Sequence, residues 1–275
     1  QLEELVEACP EHPRAPWAYL MLVNHHREVG RHDRAAVFAD RAVQSAEHRN
    51  DRDALVYNQL TRGQLIGIRG GFAEALAIIR DFAVFDAETE RRRLQRSTTS
   101  ATLNTGFAWA ALFKFAVGRP LEALETANVA VAHLDQVRAP LTECLVLLNA
   151  AAVHLIAGRL ARAIELAERL MEVAGENGLS VWRMMGWSTR ATAHTFMGDL
   201  GGAEWTAAFG EVPTDSVGVG GAAPFGIWMG ALTERAKGNV DLALHWIDET
   251  VAVLAPGASW WNAEFLRLKG EILAV

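Results

Sequence analysis

The sequence predicts an all-α solenoid, a stack of antiparallel helix pairs. Three observations carry that prediction: a repeat of fixed period, small residues at fixed offsets from a turn glycine, and an alanine-rich composition with no strictly alternating apolar runs. Glycines followed five residues later by alanine fall at Gly30/Ala35, Gly70/Ala75, Gly118/Ala123, Gly158/Ala163, Gly198/Ala203 and Gly238/Ala243, so the turns are spaced by 40, 48, 40, 40 and 40 residues. A period of this length is the mark of one supersecondary unit stacked on copies of itself. Glycine suits the left-handed position that ends a helix, and alanine is the best helix former.

Each repeat reads as a first helix running into the glycine and a second helix returning from it. Seven residues before the glycine stand Val23, Gly63, Ala111, Ala151, Ala191 and Ala231, where the first helix presses on its partner. Nine residues after it stand Ala39, Ile79, Ala127, Ala167, Ala207 and Ile247, on the same face as the first alanine. Pro13, Pro16, Pro120, Pro140, Pro213, Pro224 and Pro256 sit at helix edges, where a missing N–H does least harm. The 48-residue interval holds eight extra residues, placed in 86–103, and the fifth repeat breaks into a glycine-rich connection, 210–224. Both are candidate projecting loops. A further 40 residues beyond Gly238 would put a turn near position 278, so 259–275 is expected to be the first helix of a partial seventh repeat. The single repeat domain 1–275, opening at Gln1 without a methionine, is expected to be a piece of a larger protein.

Charge and composition exclude several functions. With 26 basic and 33 acidic side chains the chain carries −7, and its 51% hydrophobic content suits a folded chain. That balance argues against direct nucleic-acid binding, which needs clustered Lys and Arg. The most apolar stretch, 144–158, is broken by Asn149 and His154 and falls short of the roughly 20 residues of a bilayer span. Cys9 and Cys144 are the only cysteines and no charged-then-apolar leader is present, so a cytoplasmic location is expected. No G-x-x-x-x-G-K-[ST], H-E-x-x-H, paired-cysteine or G-x-S-x-G motif occurs, and no cofactor or metal is expected. Gly218, Gly220 and Gly221 lack a following lysine and read as a connector. His26, His154 and His194 each stand four residues before a turn glycine and read as packing residues, and His25, His26, His32 and Asp33 are too spread over a helix end and turn for a metal.

The small positions, turn glycine and second-helix alanine resemble the tetratricopeptide family, whose usual repeat is the shorter 34 residues. Residues 158–170 (GRLARAIELAERL), Trp182 with Gly186 and Trp187, 242–254 (LALHWIDETVAVL) and 260–273 (WWNAEFLRLKGEIL) resemble the helical-repeat sensor regions of large bacterial signal-transduction ATPases. These include LuxR-type transcription activators and regulators linked to adenylyl cyclases. Residues 1–43, with EHP at 11–13 and GRHDRAAVFADRA at 30–42, also look like the helical activation domain of actinobacterial antibiotic regulators. The resemblance implies a right-handed superhelix, with ATPase and DNA-binding or cyclase domains as covalent neighbours.

The tetratricopeptide resemblance also implies a concave groove lined by first-helix residues. Mapped onto this chain, that groove includes Phe115, Leu148, Met185, Thr192, Phe196, Trp228 and Arg235. Such an apolar lining with one arginine suits a protein segment or peptide, or a small apolar ligand with an anionic group. The alternative is that the extra helix length turns these side chains into the core. Arg91, Arg92, Arg93 and Arg96 form the densest positive cluster, a solvated face or a docking point for an anionic partner. The expected function is therefore that of a ligand-sensing or protein-interaction module of a bacterial regulator, not an enzyme, with a constitutive scaffold as the alternative.

Overall fold

The computed structural model describes residues 1–82, 88, 102–136, 139–199, 223–253 and 259–274. Among them are thirteen α-helices and no strand: α1 (Leu2–Ala8), α2 (Ala15–Glu28), α3 (His32–His48), α4 (Arg52–Ile68), α5 (Phe72–Phe82), α6 (Thr102–Ala116), α7 (Pro120–Leu134), α8 (Pro140–Ile156), α9 (Leu160–Glu176), α10 (Ser180–Phe196), α11 (Ala223–Ala236), α12 (Val240–Val253) and α13 (Ser259–Leu273). Most of the two expected loops, and the second helix expected after Gly198, lie outside the described residues.

The turns follow directly from the repeat glycines. Gly30, Gly70, Gly118, Gly158, Gly198 and Gly238 all have φ between 70° and 93°. At each, the glycine N–H bonds the carbonyl three residues back and the next N–H bonds the carbonyl five residues back, as Gly158 does to Leu155 and Arg159 to His154. This double bond pattern satisfies two of the otherwise orphaned carbonyls at a helix end. A methyl added to Gly158 would meet nothing within 4 Å, so glycine is required there by backbone conformation and not by space. Asn50 and Gly178 supply the same left-handed residue after α3 and α9. At the other ends, Pro120 and Pro140 open α7 and α8, and Asp51 caps α4 through Ala54 N–H at 3.1 Å. The N-cap residues of α3, α7 and α9 are Arg31, Arg119 and Arg159, whose side chains make no capping bond.

Two layers result. α2 packs on α3, α4 on α5, α6 on α7, α8 on α9 and α11 on α12, and each second helix also touches the next first helix. The first helices α2, α4, α6, α8, α10, α11 and α13 form a continuous row in which each touches the next. Their contacts join residues at similar distances from their turns: Arg27 bonds Gln64 at 3.3 Å, and Thr192 bonds the Met229 carbonyl at 3.4 Å. That register makes the row parallel, so the first-to-second-helix turns lie along one edge.

Small residues set the spacing within each pair. Ala35, Ala75, Ala123, Ala163 and Ala243 are all fully buried, as are Val23, Ala111, Ala151 and Ala231. At Gly63 an added methyl carbon would lie 3.2 Å from Ile78 Cγ2, and at Gly67 only 2.1 Å from the Phe113 ring. An apolar cluster runs from Ala108 on α6 to Ile272 on α13, and two smaller ones join α1 to α4 and α4 to α6. Replacing Ala163 with Phe is expected to overpack the α8–α9 contact and lower stability by about 1 to 3 kcal/mol. Urea denaturation measures this, and an unchanged midpoint would contradict the helix register.

Candidate functional site

The parallel row of first helices decides what can be a site. α8 is buried without interruption from Val146 to Leu155, so its central turns present no open face. The close approach of neighbours places four of the residues expected in a groove inside the core. Leu148, Met185 and Thr192 are buried, Thr192 completely, and Trp228 retains 6% exposure. Thr192 bonds its own helix at Ser188 O, 2.8 Å away, as well as α11. Its hydroxyl is thus used by the scaffold, together with those of Ser188, Thr189 and Thr195, each bonded to the carbonyl four residues back. Phe115 is half-buried and packs against the main cluster. Of the expected groove residues only Phe196 stands out into solvent, at 46% exposure.

At the C-terminal end α13 takes up the groups expected to hold a ligand. The Trp228 ring stacks on Phe225 at 5.9 Å, faces Trp261 at 6.3 Å and donates its Nε1–H to Glu264 Oε1 at 2.9 Å. Arg235 donates to Glu271 Oε2 at 3.0 Å. Arg267 lies between the same two carboxylates, which hold its guanidinium firmly protonated. An anionic group approaching Arg235 would compete with Glu271 for its charge. Trp228→Ala is expected to cost about 3 to 5 kcal/mol, since it removes a buried aromatic packed against Phe225 and Trp261, while Glu264 keeps its bonds to Arg267. A loss under about 1 kcal/mol by denaturant titration would contradict this placement.

The titratable groups serve the fold. His26 is buried and stacks on Phe38 at 5.3 Å, and His154 Nε2 lies 3.2 Å from Asn128 Oδ1. His194 meets Asp199 across the fifth turn at 3.1 Å. Buried Glu234 plays a similar part at the sixth, accepting from Asn239 Nδ2 at 2.6 Å and Lys237 Nζ at 3.2 Å. Burial pushes the Cys144 thiol up to about 12, leaving it unreactive. Among the described residues no three His, Cys, Asp or Glu side chains converge on a metal-sized site, and no helix is long and apolar enough to cross a membrane. Arg91, Arg92, Arg93 and Arg96 lie outside the described residues.

Burial lowers the affinity of His26, His133 and His154 for a proton, reinforced at His154 by Arg162 and Arg159 and opposed by Glu165. The unfolded chain therefore binds more protons below about pH 6.5, and stability falls as the pH drops through that value. The melting temperature is expected to fall between about pH 7.5 and about pH 5.5, and to fall less in His154→Gln. Equal falls in both proteins would contradict the assignment.

Exposed apolar side chains collect instead along the turn edge. Seven of the fourteen large ones among the described residues lie within three residues of a repeat glycine, including Leu121 at 72% and Met197 at 58%. Between them stand the exposed Arg31, Arg119 and Arg159, each immediately after its turn glycine. These arginines recur at one offset in the sequence, a signal that a search confined to groove positions passes over.

No family model matches the chain, and no curated protein matches it. A solved tetratricopeptide repeat protein from Parabacteroides merdae is similar over 99% of this chain and 90% of its own, with a TM-score of 0.52 and 12% identity. The fold is tetratricopeptide-like. At that identity the likeness establishes architecture, with the longer 40-residue repeat built on the same helix-pair stack.

Proposed function

We propose that this chain is a protein-interaction module of a bacterial signalling or transcription regulator. The observation that carries the reading is the tetratricopeptide-like stack itself, whose turns lie in a long row with exposed apolar side chains, and with an arginine after the first, third and fourth glycines. Such a surface is suited to an extended partner that touches several repeats, each contributing a modest contact. The regulator context draws on the resemblance of 158–170, 242–254 and 260–273 to sensor regions of signal-transduction ATPases, in which ATPase and DNA-binding or cyclase domains are covalent neighbours. The reading assigns no catalysis to this chain. Partner binding would act on those neighbours by favouring one curvature of the stack, which requires different affinities for two shapes.

A sensor of small ligands is the weaker version of this reading, because Trp228 and Arg235 are already engaged by Glu264 and Glu271. Native mass spectrometry of the chain isolated from its own cell extract tests the proposal. The expected result is a complex with a second polypeptide. A bare 30.0 kDa chain would contradict it, and a small non-covalent adduct would restore the ligand-sensing version.

A further inference from the structure

We propose that the edge formed by the third, fourth and fifth helix turns docks an acidic, amphipathic segment of a partner protein. This rests on the protein-interaction reading above and adds the place and the chemistry. Val117, Leu121, Ile156, Phe196 and Met197 are exposed along this edge, on three consecutive repeats. Arg119 and Arg159 stand among them, both exposed.

The state of these two arginines is what selects the partner. The chain has 33 acidic groups for 26 basic ones, so carboxylates are in excess, and many arginines are paired: Arg62 with Asp40, Arg69 with Asp33, Arg169 with Asp135 and Arg235 with Glu271. Among the described residues Arg159 has no side-chain hydrogen bond or ion pair, and Arg119 has only Glu122 at 3.9 Å, beyond hydrogen-bond reach. Two exposed arginines whose side chains make no hydrogen bond among the described residues, in a chain of net charge −7, make the third and fourth turns complementary to carboxylates. The interleaved apolar side chains favour a protein segment over a nucleic acid, whose phosphates would leave Leu121 and Met197 unmatched. Neighbouring packed helices lie about 8 to 10 Å apart, and an extended chain advances about 3.3 Å per residue. Carboxylates three positions apart therefore meet Arg119 and Arg159 in turn, while at the fifth turn, where Asp199 follows the glycine, the contact is the apolar one to Phe196 and Met197.

The probe is a fluorescein-labelled peptide of roughly a dozen residues with glutamate at every third position and leucine or glutamine between, titrated by fluorescence anisotropy. The whole chain is expected to bind it, less tightly as sodium chloride rises from about 50 to about 300 mM. In Arg119→Glu/Arg159→Glu binding is expected to weaken at least about tenfold, and in Phe196→Ser/Met197→Ser by a similar factor, with melting temperatures unchanged. Arg52→Glu, an exposed arginine at the start of α4 on the opposite edge, is expected to bind like the parent. Equal binding by parent and Arg119→Glu/Arg159→Glu, no binding by the parent, or equally tight binding of an oligothymidylate would overturn the proposal. The two readings fail separately: a protein complex from cell extract that survives Arg119→Glu/Arg159→Glu refutes the edge alone, whereas the absence of any complex refutes the interaction reading as well.

Discussion

Six first helices end at a glycine whose φ is positive, and the pairing of N–H and carbonyl groups around that residue turns the chain back on itself. An L-residue with a side chain resists this conformation by about 1 to 2 kcal/mol, which is why glycine recurs there while neighbouring positions vary. Reversal at this point brings the alanine five residues on against the first helix, and that close contact sets the distance at which everything else packs. Where a still closer approach is needed, as at Gly67 beneath the Phe113 ring, even a methyl group is excluded.

The same geometry explains why the inner row is closed. Parallel first helices held close enough for Thr192 to reach the Met229 carbonyl leave no width between them for a ligand. α8, in the middle of the row, becomes a core helix along most of its length. Its apolar composition follows from that position, as do its buried Asn149 and His154, which interrupt the stretch without opening it. Half of the large exposed apolar side chains among the described residues stand at the turns, where the chain leaves one helix for the next.

Much of this architecture was legible in the sequence because glycine and alanine act locally. A left-handed turn and a close helix contact each require one residue type at one position, so period and offsets could be read directly from Gly30 to Ala243. The opposite-edge turns at Asn50 and Gly178 were less legible: both stand 20 residues after a repeat glycine, but one uses asparagine and the same offset holds Glu90, Arg138 and Ala258 in other repeats. The site was legible only in part. Whether Trp228 or Met185 faces a groove depends on how near two neighbouring helices come, a property of the pair and not of either sequence alone. The partnership of Arg235 with Glu271 likewise joins groups 36 residues apart, which no local pattern announces.

The stack depends most directly on the conformation of the turn glycines. Denaturant titration of Gly118→Ala, Gly158→Ala and the double variant is the decisive measurement, because an added methyl touches nothing at either position. Each single exchange is predicted to lower stability by about 1 to 2 kcal/mol, the two to add, and Gly158→Asn to lose less than Gly158→Ala. Alanine that is neutral or stabilising would mean that these residues do not hold the left-handed conformation, and the stacking built on them would be wrong.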